Sequence, residues 1–256
     1  MKTIFVSGSC RLMTTITYGP SIVYPIHSME KNFVGNNFLG KLHNIKQHIQ
    51  FIKWINNEVT IPDDILKFYL TTYWNRTPIK DILEKKYNIQ NHFKECDIYL
   101  FEICSLKTYF KDGFQVQNEL CRIAANDHTR ENPKYKYIVD YNTHELSIKE
   151  LMVELTSLRE LIPKTKTILF QTHFRPNIIY NDDNKRIKNR EIIFDTIDLF
   201  CKNNINVFVH DPSIIVKLYG TTMLVDDLHF SKEGYAKNFE YIYSNYIHNH
   251  CQLHST

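Results

Sequence analysis

The chain alternates short, almost continuously apolar blocks with longer stretches whose apolar positions recur every three or four residues. Blocks of the first kind run from Thr3 to Ser7, Asp97 to Cys104, Thr167 to Gln171 and Asn206 to His210. Runs this short and this apolar suit strands buried on both faces, as in a parallel sheet covered by helices. Between the first two, Leu42, Ile45, Ile49, Ile52 and Ile55 form a single stripe, which predicts a helix over about 39–56. Pro62-Asp63-Asp64 opens another helix, and 79–93, 147–161 and 188–202 also read as helical, the second of these capped by Ser147. A last helix is expected over 231–246, with Ser231 as its cap and Glu233 in its first turn. Strand and helix therefore alternate. The pattern predicts an α/β fold, a three-layer α/β/α sandwich around a mostly parallel central sheet.

Residues 105–145 break this rhythm. Tyr109-Phe110, Phe114 and the extended-looking Tyr135 to Val139 predict an inserted loop or hairpin. Insertions after the carboxyl end of a strand commonly shape the ligand site of such sheets. A further extended piece is expected at 22–25. No repeat or flexible linker divides the chain, so one domain over 1–256 is expected.

Composition narrows the function. Apolar residues at 43% and charged residues at 23% exclude a disordered or fibrous chain. A formal charge of +3 argues against nucleic acid as a partner. The first apolar block stops at Ser7-Gly8-Ser9 and no run of 18 apolar residues follows, so a soluble, cytoplasmic protein with no membrane partner is expected. Six cysteines without zinc-ligand spacing read as free thiols, and twelve scattered histidines give no reason to expect a metal.

Two short signals carry candidate chemistry. Gly8 lets the chain turn sharply at the end of the first strand, and Cys10 follows where backbone N–H groups lower a thiol's pKa and hold an oxyanion. The bland alternative is a small core cysteine. Near the other end, Asp226 and His229 stand three residues apart before the final helix, a spacing that lets a carboxylate fix one imidazole nitrogen while the other faces a nucleophile. Asp227 competes with Asp226 for that role. Ser9 lies in the nucleophile's turn, and Thr172 or His173, after the third strand, offers a second oxyanion donor. Arg11 either pairs with Glu102 or binds a substrate carboxylate, phosphate or sugar, and Arg175, just beyond another strand, is expected to serve the same face. His210 ends the last strand as a site residue or as a satisfied loop histidine.

Gly8-Ser9-Cys10 together with Asp226-x-x-His229 and the following Phe230-Ser231 and Gly234-Tyr235 resembles the SGNH/GDSL hydrolase-like superfamily. Within it, the chain looks most like GSCFA-type or capsule polysaccharide-biosynthesis relatives with a cysteine nucleophile. The family's additional glycine and its Gly-x-Asn-Asp loop are missing around Glu102 to Ser105 and Gln171 to Pro176. The resemblance implies a Cys10-His229-Asp226 triad in a cysteine-dependent acyltransferase or esterase. It implies a carbohydrate or related small acyl acceptor and acetyl coenzyme A as acyl donor, with no cofactor required. The competing expectation is a non-catalytic ligand-binding or structural protein on the same fold.

Overall fold

The apolar blocks and stripes become a layered α/β structure. The computed structural model describes residues 3–18, 41–70, 78–117, 141–175, 185–226 and 229–248. The extended piece expected at 22–25, most of the inserted region, and Asp227 lie outside these residues. In chain order the elements are β1 (Ile4–Ser7), α1 (Cys10–Tyr18), α2 (Ile45–Ile55), α3 (Asp63–Leu70) and α4 (Ile79–Glu95). β2 (Ile98–Glu102), β3 (Lys107–Lys111), β4 (Phe114–Gln115), β5 (Asn142–Glu145) and α5 (Ile148–Glu160) follow. β6 (Thr167–Gln171), α6 (Lys185–Lys202), β7 (Val207–His210), α7 (Ser213–Tyr219), a 3-10 turn (Thr221–Met223) and α8 (Lys232–Ile242) complete the series, and α8 widens into a π-helical turn (Tyr243–His248).

β1, β2, β6 and β7 form one sheet in the order β1-β2-β6-β7, every pair parallel. Alternation along these strands explains the two covering layers. Phe5, Tyr99, Phe101, Ile168 and Phe170 point to one face and pack with α2, α4, α5 and α6. Ile4, Val6, Ile98, Leu100 and Leu169 point to the other and meet α1 and α8. At roughly 1.5–3 kcal/mol for each large apolar side chain taken out of water, these two faces dominate the favourable side of folding.

Helix boundaries follow local chemistry. The stripe predicted from residue 39 starts as helix only at Ile45, because Asn44 and Gln47 close a capping box there. Ser147 caps α5 in a second box with Glu150, and Ser231 accepts from the Gly234 N–H at the start of α8. In the inserted region, β3 and β4 form a hairpin and β5 joins the other side of β3, giving a separate three-stranded antiparallel sheet. Its turn is Asp112-Gly113, both at positive φ (50° and 83°), the backbone that a two-residue hairpin demands.

Since all four strands of the main sheet run the same way, their carboxyl ends share one edge. Ser7, Glu102, Gln171 and His210 stand there, every one of them buried. Polar residues at the end of otherwise apolar strands must find partners, and the site is built from those partners.

Candidate active site

Ser7 is the last residue of β1, and its partner comes from α2. The capping box fixes the first turn of that helix, and Tyr69 donates its hydroxyl to the Gln47 carbonyl. Gln47 Nε2 donates to the Val116 carbonyl (2.8 Å), and Gln50 exchanges hydrogen bonds with the Gln115 main chain (2.7 and 3.1 Å). The inserted hairpin thus braces the helix that carries His48. His48 Nδ1 lies 2.9 Å from Ser7 Oγ, and its Nε2 lies 2.9 Å from the Glu102 carbonyl oxygen.

A carbonyl oxygen only accepts, so Nε2 carries the ring proton and Nδ1 accepts from the Ser7 hydroxyl. The tautomer is fixed. Burial pulls the His48 pKa down to about 4, only partly opposed by the hydrogen bond to Glu102 and by that residue's charge. At neutral pH the imidazole is therefore an uncharged base facing a hydroxyl.

Glu102 works in two directions. Its main chain holds His48, while its carboxylate accepts from the Ser9 N–H (2.7 Å) and from Arg11 Nε (3.1 Å). A Cβ on Gly8 would sit 2.7 Å from Glu102 Cβ and 2.8 Å from Leu12 Cδ2, so only glycine lets the turn pass this close. Burial works against the Arg11 charge, but Glu102, with the Cys104 and Cys10 thiols nearby, more than offsets it and keeps the guanidinium protonated. Burial likewise pushes the Cys104 thiol up to about 12, and its sulfur lies 3.5 Å from the His43 carbonyl.

This arrangement corrects the expected chemistry. The hydroxyl–imidazole pair at the sheet edge is Ser7–His48 with Glu102, a Ser-His-Glu network, rather than Cys10-His229-Asp226. Asp226 and His229 do pair, at 3.0 Å from Nδ1 to each carboxylate oxygen, but their side chains are 48% and 41% exposed, and no hydrogen bond joins His229 to Cys10 among the described residues. The reading as a cysteine-dependent acyltransferase or esterase, and the likeness to cysteine-nucleophile relatives on which it rested, are overturned by that network.

The structure brings Ser9, Arg11 and Glu102 together, and of the two roles open to Arg11 it displays the pairing with Glu102. Arg175 is held by Asp211 (2.5 and 2.9 Å) and Glu191 (2.8 Å) and lies over the Phe194 ring. His210 Nε2 donates to Asn238 Oδ1 (2.7 Å), and Asn238 Nδ2 reaches Thr15 Oγ1 (3.2 Å) and Gln171 Oε1 (3.3 Å), a buried polar tie across the sheet edge. Thr172 and His173 follow β6, both buried; among the described residues Thr172 Oγ1 and His173 Nε2 find no hydrogen-bond partner. Among the described residues no group of three or more His, Cys, Asp and Glu could hold a metal, and no helix is long and apolar enough to cross a membrane.

The sequence did carry a signal for the missed pair. His48 falls three residues after Ile45 and four before Ile52, inside the apolar stripe, and Ser7 closes an apolar strand. A polar side chain on each buried face requires a buried partner.

An all-parallel sheet between two helical layers, with a Ser-His-Glu network at its carboxyl edge, is consistent with an SGNH- or Rossmann-like hydrolase fold. The chain belongs to the TviD N-terminal domain family, which matches residues 2–140. That segment contains Ser7, His48 and Glu102; Asp226 and His229 lie beyond it. No curated protein and no solved structure matches the chain.

Proposed function

We propose that the chain is a serine-type hydrolase of carboxylic esters, with Ser7 as nucleophile, His48 as base and Glu102 as the residue that orients and electrostatically supports the base. One observation carries this reading: the Ser7 hydroxyl donates to an imidazole whose other nitrogen is locked on the Glu102 carbonyl, each at 2.9 Å. As Ser7 Oγ bonds to the ester carbon, its proton passes to His48 Nδ1. Expulsion of the alcohol breaks the acyl C–O bond and returns that proton to the leaving oxygen. Water then attacks the acyl-serine, again giving its proton to Nδ1, and hydrolysis restores the hydroxyl. Glu102 favours the charged ring through its own negative charge, which works against burial.

Ser7 and His48 are both buried, so access of substrate to the end of β1 is part of the proposal. Labelling with a fluorophosphonate, followed by peptide mass spectrometry, tests it directly. The expected adduct is on Ser7, absent in Ser7→Ala and slowed by about 10²-fold or more in His48→Gln. p-Nitrophenyl acetate and acetyl coenzyme A serve as parallel acyl donors. Lack of labelling at Ser7 with a folded protein, or turnover unchanged in Ser7→Ala, overturns the assignment.

A further inference from the structure

His173 is a buried titratable group that the Ser7 chemistry leaves unused. Its Nδ1 lies 3.1 Å from the Phe174 carbonyl oxygen. That oxygen can only accept, so Nδ1 holds the ring proton and Nε2 presents a bare lone pair. Nε2 is out of contact with solvent and has no hydrogen-bond partner among the described residues, while the residue as a whole is 5% exposed. The ring packs against Phe174 at 4.7 Å between centroids, and Phe174 in turn against Phe230 at 5.7 Å, so it is held in place. Burial, followed by the positive charges of Arg11 and Arg190, keeps its pKa well below the usual histidine range. His173 follows the end of β6, whose last residue Gln171 pairs in register with Glu102, so the ring stands at the carboxyl edge of the sheet and feels the charges of Arg11 and His229.

An acceptor without a donor, buried in a fixed orientation, is destabilising unless something supplies the donor. A carboxylate or a fully ionised phosphate cannot, since an ionised oxygen only accepts. An alcohol can. We infer that His173 Nε2 receives the O–H of a hydroxyl-bearing ligand, so that the site binds an alcohol, either the alcohol portion of the ester or an alcohol that takes the acyl group in place of water. This changes the part expected of His173: in this tautomer it has no proton at Nε2 to give an oxyanion, and it acts as an acceptor instead. The identity of the ligand as an ester's alcohol or an acyl acceptor rests on the Ser7 reading. The hydrogen-bonding polarity of the subsite does not.

Two measurements separate these dependences. In the first, ring nitrogens of uniformly ¹⁵N-labelled wild-type protein are observed by two-bond ¹H–¹⁵N correlation, with His173 assigned by its loss in His173→Gln. Titration with glycerol or methyl glucoside is expected to move the Nε2 resonance saturably in the direction of hydrogen bonding, while 1,2-dimethoxyethane, which has no donor, leaves it in place. A ring protonated at Nε2, an Nε2 signal unmoved by either alcohol, or an equal shift with the ether overturns the inference. In the second, acyl groups delivered from p-nitrophenyl acetate are partitioned between glycerol and water. His173→Phe is expected to lower the ratio of transfer to hydrolysis by about tenfold or more, and His173→Gln, which retains an acceptor oxygen, to restore part of it. An unchanged ratio in His173→Phe overturns the acceptor role. Absence of nitrophenol release in the wild type would refute the Ser7 proposal, and the nitrogen titration would still decide the His173 subsite.

Discussion

Replacing Glu102 by alanine strips a partly buried guanidinium and a buried main-chain N–H of their partner at once. The Arg11 guanidinium loses its carboxylate at 3.1 Å, and the Ser9 N–H loses an acceptor at 2.7 Å. Removing one member of a buried ion pair costs about 3–5 kcal/mol, because the remaining charge is left without compensation. An orphaned buried N–H adds about 1–3 kcal/mol, although the two share one carboxylate and do not sum fully. A loss of about 4 kcal/mol is a large part of the ~5–15 kcal/mol that holds a typical domain. For a chain of this size, at about 2–4 °C per kcal/mol, it lowers the melting temperature by roughly 8–16 °C. Urea unfolding followed by circular dichroism at pH 7.5 gives the free energy directly. The double variant Arg11→Met/Glu102→Leu is the control: it removes both charges and is expected to recover most of the loss. A single variant within about 1 kcal/mol of wild type, or a double variant no better than the single one, would refute the view that this carboxylate is held by its charge partners.

Other expectations follow from neighbouring contacts. Gly8→Ala forces a Cβ to 2.7 Å from Glu102 Cβ, so it should cost about 1–3 kcal/mol in urea unfolding; a neutral substitution would show that the turn has room. His48 has a folded pKa of about 4 against an ordinary 6.5, so the unfolded chain binds the extra proton between those values. Its contribution, on the order of 3 kcal/mol, is complete above pH 6.5 and is lost as the pH falls towards 4. His43 at about 3 and His210 at about 4 act in the same direction. Stability measured from pH 7.5 to 4.5 should fall less steeply in His48→Gln, and equal slopes would contradict the assignment. Ser147→Ala removes the cap of α5 and should cost about 1 kcal/mol in thermal unfolding; no change would mean that the box contributes nothing.

Much of the architecture was legible from local pattern. The four apolar blocks became the four parallel strands, and Ser147 and Ser231 cap the helices where expected. The Arg11–Glu102 pairing was legible as one of two roles because each residue sits just at or past a strand end, where a parallel sheet gathers such positions. The Ser7–His48 pair was not. Its members are 41 residues apart, joined by a helix packed on a strand, and no local spacing encodes that contact. A thiol after a glycine and an Asp-x-x-His triplet are conspicuous as text. A serine at the end of a strand is not, although its burial makes its partner the more consequential one. The start of α2 was misplaced for a similar reason: the apolar stripe continues to Leu42, but the Asn44 and Gln47 side chains satisfy the backbone there and begin the helix later.

The layer formed by α1 and α8 sets a constraint on synthesis. Leu12, Met13 and Ile16 share one core with Phe239 and Ile242, and Asn238 donates to Thr15 across 223 residues of sequence. At roughly 5–20 residues per second, a ribosome takes on the order of 10–40 s to make that span. Throughout this interval the nascent chain carries the apolar face of α1 with no α8 to cover it. The strands β1 and β2 can pair meanwhile, but one side of the growing sheet stays greasy until the late helix clears the exit tunnel. Nascent chains halted before residue 238 should therefore be the species that chaperones hold and that aggregate when chaperones are scarce.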